Sequence, residues 1–395
     1  MQIEIKPQKD ININNDRYEV LDVIRGISIF YMLFCHLCQF ALISEDRWFW
    51  ALIYIFIDII GVPAFLFVSG VAISISIDKK LKKGKEINNS PNIINKSIRN
   101  DMLYRGLFIY FIGLLYNIGF CVSKGDLKYI WSWTILQLIG ISQIALYYIK
   151  KLSIQNRFIL IFGILIISEP LYYTLWNNQN LIINILGYII FNPNNLNPIL
   201  PFIFYPILGN IIGEIMVTDS THNMKFMGKK FRSFLVIIGL FLLILSIMMG
   251  FFGEPASDEN WPFSLIMNKF NISKLPRFLD RGSPSNILYC SGILMILFSI
   301  FNRYYMNIYS KKHRIYTFFS LFGRASLTLY LSHHLFYFII NQQYTVYTIW
   351  LIAAIIIGFI SIIYIIWYSI ADLKYGIEWS ISKTRNILFK KFNLR

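Results

Sequence analysis

Apolar runs of about 20 residues recur along this chain between short polar connections, and each is long enough to cross a bilayer as an α-helix. The runs centre near Ser28, Phe65, Ile112, Leu138, Ile164, Leu208, Leu242, Leu294, Leu329 and Ile357, which predicts about ten spans. Within them hydropathy is continuous and does not alternate from residue to residue, so helices are expected and a β-barrel is not. The second run is long and broken by Gly61-Val-Pro63, which predicts an interfacial helix followed by a kinked span. The longest polar stretches, Asp78 to Asp101 and Gly253 to Asn286, are too short for a core of their own. The expected fold is therefore all-α: a polytopic membrane bundle with both termini cytoplasmic. Residues 1–20 read as a polar tail, 21–371 as the transmembrane domain and 372–395 as a basic tail. No small-residue cleavage site follows the first run, so it reads as a retained span.

Composition supports this class: 56% of the chain is hydrophobic, 15% is charged and the mean hydropathy is +0.54. The formal charge of +16 then has to be placed. With the N-terminus inside, Lys79 to Lys85, Lys150, Lys151, Arg157, Lys229, Lys230 and Arg303 all fall on one side. The opposite short connections hold only Arg47, Lys124 and Lys128. This is a positive-inside distribution, suited to anionic lipid at the cytoplasmic leaflet. Charges scattered over inter-span loops do not form a nucleic-acid footprint, so no nucleic acid is expected as partner. The Ile-, Asn- and Lys-rich composition, without sorting signals, suits a prokaryotic cytoplasmic membrane. All four cysteines fall in predicted spans, where disulfides are not expected. Cys35-His-Leu-Cys38 spells C-x-x-C but has no further Cys or His nearby; small buried hydrophobes are the preferred reading, and no metal is expected.

Ionisable groups in hydrocarbon cost about 2.5–3.5 kcal/mol each even on insertion scales, so those inside the runs mark candidate sites. The first run carries Asp22, Arg25 and His36. Arg25 and His36 fall on one helix face about 16 Å apart along the axis, with a fixed cation near one end and a titratable base deeper in. Asp58, in the second run, is at a depth to orient His36 and stabilise its protonated form. In the ninth run Ser326, Tyr330 and His333 follow helical spacing on one face, next to His334. Arg25, Arg105 and Arg324 each lie near the predicted cytoplasmic end of a span. Snorkelling explains any one of them, whereas together they suit a phosphorylated ligand. Glu214 is expected to pair with one of these arginines, and Glu169 is a further buried carboxylate.

Several of these pieces carry a resemblance. Asp22-x-x-Arg25-Gly26, His36 and Pro63-Ala-Phe65-Leu-Phe67-Val-Ser69-Gly70 resemble the opening of the heparan-alpha-glucosaminide N-acetyltransferase catalytic-domain-like proteins. Pro201-Phe, Leu208-Gly209-Asn-Ile-Ile-Gly213, Leu275-Pro276-Arg277, Ser283-Pro284-Ser285 and Gly323-Arg-Ala-Ser326 with Tyr330 and His333 continue it in order, from about Arg17 to Ile370. The Arg25-Gly26…His36 and Ser326-Leu…Tyr330…His333 elements also resemble the broader acyltransferase-three membrane enzymes. One departure stands out. The lysosomal member that names the family resembles a pattern with asparagine at the position of His36 and a histidine in the next outer loop. That loop here reads Ile43-Ser-Glu45-Asp-Arg47-Trp48, so His36 matches the microbial members and the acceptor is left open.

The resemblance implies an acyl-CoA-dependent acyltransferase, acetyl being the expected group, acting on a glycan or similar acceptor on the extracytoplasmic side. Joined to the residues, Arg25, Arg105 and Arg324 bind the donor phosphates and His36, Asp58 and His333 are catalytic. Tyr330, His334 and Ser326 bind the acceptor. The expected partners are acyl-CoA, a carbohydrate or lipid-linked acceptor and membrane lipids, with a homodimer left open. The rival reading is a proton-coupled transporter or lipid-translocating protein that uses the histidines as relays.

Overall fold

The computed structural model describes residues 18–88, 90–125, 130, 132–176, 178–191, 197–219, 228–252, 262–309, 314–337 and 343–391. The first seventeen residues of the expected N-terminal tail lie outside that set. The described residues are helical apart from turns and connections and one isolated bridge between Leu42 and Tyr344. In chain order the helices are α1 (Glu19–Ala41), α2 (Arg47–Ile57), α3 (Val62–Glu86), α4 (Pro91–Lys124), α5 (Ile135–Ile149), α6 (Ile154–Leu175), α7 (Leu181–Phe191) and α8 (Ile199–Phe202). They continue with α9 (Phe204–Asp219), α10 (Lys229–Phe252), α11 (Phe263–Phe270), α12 (Pro284–Tyr309), α13 (Arg314–Arg324), α14 (Ser326–Tyr337), α15 (Val346–Ala371) and α16 (Ile377–Lys391).

Eight helical stretches among the described residues are long and apolar enough to cross a membrane: Glu19–Ala41, Ser44–Glu86, Pro91–Gly119, Ile154–Leu175, Ile199–Thr218, Lys229–Phe251, Pro284–Tyr304 and Val346–Ala371. The chain is thus an all-helical multi-pass membrane protein, and the expected count of about ten is approximate. Two expected spans differ. The run around Leu138 is α5, 15 residues long, or about 22 Å at 1.5 Å per residue, short of a 30 Å hydrocarbon core. The run around Leu329 is cut at Ala325 into α13 and α14. The second run resolves as expected into α2, a 3₁₀ turn Asp58–Ile60 and α3, with one correction. Pro63 lies in the first turn of α3 and kinks nothing, because its missing N–H is one that an N-terminus leaves unsatisfied anyway.

Ties between elements define two ends. At one, Lys79 sits over the Tyr18 ring at 5.4 Å, Lys80 pairs with Asp101 and Lys150 with Asp78 at 2.8 Å. The same end has Arg157 on Glu214 at 2.8 Å and the Tyr364 hydroxyl donating to the Leu321 carbonyl at 3.0 Å. We call it the basic end. At the far end the Ile43 N–H donates to the Tyr344 carbonyl at 3.0 Å, the Val346 N–H donates to Asp46 at 2.9 Å and Arg281 meets Asp58 at 3.1 Å.

Several helix crossings are close enough to need glycine on both sides, and the two tightest are α1–α13 and α3–α9. A Cβ on Gly26 of α1 would lie 2.0 Å from the Phe319 carbonyl oxygen, and one on Gly323 of α13 would lie 1.7 Å from that of Asp22. At the α3–α9 crossing, Gly70 and Gly209 would meet the carbonyls of Pro206 and Phe67 at 2.1 and 2.0 Å. Without a hydrophobic driving force between helices in lipid, such backbone contact is a main source of packing energy. The segment 372–395, expected as a tail, includes α16. This helix docks on α4 through Thr384 to Tyr104 at 2.5 Å and on α14 through Glu378.

Candidate active site

The first helix carries both ends of the predicted site. Asp22 and Arg25 lie one turn apart near its start and are ion-paired at 3.6 Å, with the Asp22 side chain 3% exposed. His36 lies near its end, beside the buried Cys35, Leu37 and Cys38. The break at Ala325 lets α14 run beside α1, and this brings together two histidines 297 positions apart in sequence. His36 Nδ1 and His333 Nε2 are 2.8 Å apart, with the rings stacked at 5.1 Å and 11°.

The tautomer follows from the second nitrogen of His333. Its Nδ1 lies 3.3 Å from the Leu329 carbonyl, which only accepts, so Nδ1 carries the proton. In a neutral pair Nε2 of His333 is then the acceptor, His36 Nδ1–H donates to it, and Nε2 of His36 is the basic nitrogen. His333 is 1% exposed and His36 half-buried. Ser326 and Tyr330, predicted on the same face as His333, are buried with it, and the Tyr330 ring packs on His333 at 5.5 Å. The His334 side chain lies outside the described residues.

Asp58 differs from expectation. Among the described hydrogen bonds and ion pairs it has none with His36; its Oδ2 meets Arg281 Nη1 at 3.1 Å, and both side chains are about 15% exposed. Arg281 also donates to the Tyr54 hydroxyl and, at 2.7 Å, to Asn197, and stacks on the Tyr54 and Phe202 rings. Burial works against its charge, but Asp58 and Tyr54 outweigh this and hold its pKa above the ordinary value. A Cβ on Gly61 would lie 2.7 Å from Tyr31 Cε1 and 2.9 Å from Asp58 Oδ1, so the Asp58 carboxylate lies close to Tyr31 of α1.

Asp58 and Arg281 line a far-end cavity of about 230 Å³ together with Tyr54, Tyr172, Tyr173, Glu169, Arg277, Asp280 and Asn286. Glu169 pairs with Arg277 across it. Burial pushes the Asp280 carboxyl up to about 6, against the opposing charge of Arg277. The cavity combines aromatic faces with alternating carboxylates and guanidinium groups, a lining able to hold a small, hydroxyl-rich or cationic molecule.

The three predicted arginines all lie at the basic end, in separate settings. Arg25 is on Asp22, Arg105 is on Asp101 at 3.2 Å and Arg324 is over the Tyr368 ring at 5.6 Å. Glu214 pairs with an arginine outside that set, the fully buried Arg157, which also holds Asn210 at 2.8 Å. Arg157 reads from sequence as a loop cation because it sits at the start of an apolar run. Arg281 was legible only indirectly: a buried carboxylate such as Asp58 demands a cation, but the sequence does not say which.

Comparison with known families matches residues 17–249 of the chain to the model described as heparan-alpha-glucosaminide N-acetyltransferase, catalytic. His36, Asp58, Arg25 and Arg105 fall inside the match, and His333, Arg281 and Arg324 beyond it. No curated protein matches the chain.

Proposed function

The chain belongs to the heparan-alpha-glucosaminide N-acetyltransferase catalytic family, a family of membrane acetyltransferases, and from that premise we propose that it moves an acetyl or other acyl group from cytosolic acyl-CoA to a hydroxyl or amine of a glycan-like acceptor on the extracytoplasmic side. The single observation that carries the site assignment is the 2.8 Å contact between His36 and His333. It supplies a base whose proton can be shared with a second, buried imidazole.

In this reading the basic end faces the cytosol and receives the donor. His36 Nε2 takes the proton of the acceptor O–H or N–H as the acceptor attacks the thioester carbonyl. The new C–O or C–N bond forms, the C–S bond breaks, and the departing thiolate takes the proton back from the imidazolium. His333 stabilises that imidazolium through its contact with His36 Nδ1, the part first expected of Asp58. Asp58 has a different role: with Arg281 it builds the far-end cavity, whose aromatic and charged lining suits the acceptor. Tyr330 and Ser326 support His333 from its own helix. The organism's cytoplasmic membrane is the proposed location.

The test is transfer of labelled acetyl from acetyl-CoA by protein in membranes. His36→Ala and His333→Ala are expected to lose at least about a hundredfold in rate, the range of a general base. Turnover at the wild-type rate in His36→Ala would remove the assignment. Proton-coupled solute uptake without any CoA would favour the transporter instead.

A further inference from the structure

Asp101 on α4 is 5% exposed and receives three cations from three helices. Lys80 of α3 donates to Oδ2; Arg105 of α4 donates through Nε at 3.2 Å and Arg385 of α16 through Nη1 at 2.9 Å, both to Oδ1. One cation would neutralise a buried carboxylate. Three leave the group with a formal charge of +2, and among the described residues no other carboxylate is ion-paired with any of them. Their side chains are 32%, 34% and 23% exposed, so the cluster opens outward at the basic end. Arg105 spends only Nε on Asp101, which leaves its two terminal nitrogens as a fork of the kind that takes phosphate oxygens. A cavity of about 300 Å³ opens between α3, α4 and α5, lined by Ile77, Leu81, Ile98, Tyr147, Lys150 and Lys151. Lys80, Asp101, Arg105 and Arg385 do not line it; the cavity neighbours the cluster through Ile77 and Leu81 on α3 and Ile98 on α4.

We propose that Lys80, Arg105 and Arg385, oriented by Asp101, form a binding site for a phosphate monoester. A monoester carries close to two negative charges near neutral pH and matches the excess of +2, whereas a phosphodiester carries one. The C-terminal helix is then part of a ligand site, because Arg385 is one of its three cations. The identity of the ligand rests on the acyl-CoA reading: coenzyme A carries a single monoester, its 3′-phosphate. A phosphatidic acid headgroup offers the same chemistry from the lipid side.

The experiment measures binding of CoA and dephospho-CoA, which lacks only that phosphate, to full-length protein in phosphatidylcholine nanodiscs, with inorganic phosphate as competitor. Wild type is expected to bind CoA about tenfold or more tighter than dephospho-CoA, the range of one charge-assisted contact or better. Arg385→Gln and Lys80→Gln are expected to abolish that ratio while shifting dephospho-CoA less than about twofold. Equal binding of the two compounds by wild type, with phosphate not competing, overturns the site whether or not the variants fold. A lower melting temperature in Arg385→Gln with an unchanged ratio also overturns it and leaves Arg385 as a docking contact. If neither nucleotide binds but phosphatidic acid in the nanodisc raises the melting temperature of wild type and not of Arg385→Gln, the site stands on lipid and the acyl-CoA reading falls.

Discussion

Removing the Glu378 carboxylate should loosen the helix that carries His333. Glu378 lies in α16 and caps α14 from outside. Its Oε1 accepts the backbone N–H groups of Leu327 at 2.7 Å and Thr328 at 3.3 Å, and its Oε2 accepts the Thr328 hydroxyl at 2.5 Å. Thr328 Oγ1 accepts in turn from the Ile377 N–H at 2.9 Å, which closes the contact. Leu327 and Thr328 are in the first turn of α14, where N–H groups have no partner within the helix. Loss of a helix cap costs about 0.5–2 kcal/mol, and hydrogen bonds to a charged group run to about 1.5–3 kcal/mol. With two orphan donors released at once we expect about 2 kcal/mol for Glu378→Ala, close to a thirtyfold rise in local opening. Hydrogen exchange followed by mass spectrometry reads this directly: exchange at the start of α14 should accelerate, with α10 and α12 unchanged. Acetyl transfer should fall with it, because His36 loses a fixed partner. Glu378→Gln keeps the carbonyl acceptor and should recover most of the protection. Unchanged exchange at 327 and 328 in Glu378→Ala, or equal damage from Ala and Gln, would refute the capping role.

Three further outcomes follow from the geometry. Breaking the Asp58–Arg281 pair from one side, as Arg281→Met, should destabilise the protein by about 3–5 kcal/mol, seen as a lower melting temperature in detergent. The double variant with Asp58→Asn should recover part of it. Gly323→Ala would drive a Cβ to 1.7 Å from the Asp22 carbonyl oxygen and should cost at least about 1–3 kcal/mol with loss of the α1–α13 crossing, whereas the same change at Gly163, which meets nothing within 4 Å, should cost almost nothing. For Asp280 the folded pKa is raised from 3.8 to about 6, so the folded state holds this proton better than the unfolded chain. The contribution of Asp280 is therefore most favourable below pH 4 and is lost as the pH rises to about 6. Asp280→Asn should raise the melting temperature at pH 7 and flatten its dependence between pH 4 and 6; a lower melting temperature at pH 7 would contradict it.

How much of this was legible along the chain differs between fold and site. The helical class, the position of most spans and the break before α3 follow from runs of apolar residues and from Gly61-Val-Pro63, because the bilayer demands internally bonded backbone of a set length. The cost of charge in hydrocarbon singled out Asp22, Arg25, His36 and Asp58 before any neighbour was known. Partners were another matter. His36 meets His333 across 297 positions, Asp58 meets Arg281, Glu214 meets Arg157, and residues expected as a tail fold into α16 and reach both Asp101 and the start of α14. Hydrophobicity and helical period are properties of neighbouring residues, so a single chain displays them. Which buried charge finds which counter-charge is set by helix crossings, and those depend on where two backbones can touch, as at Gly26 and Gly323. Only the packed bundle decides that.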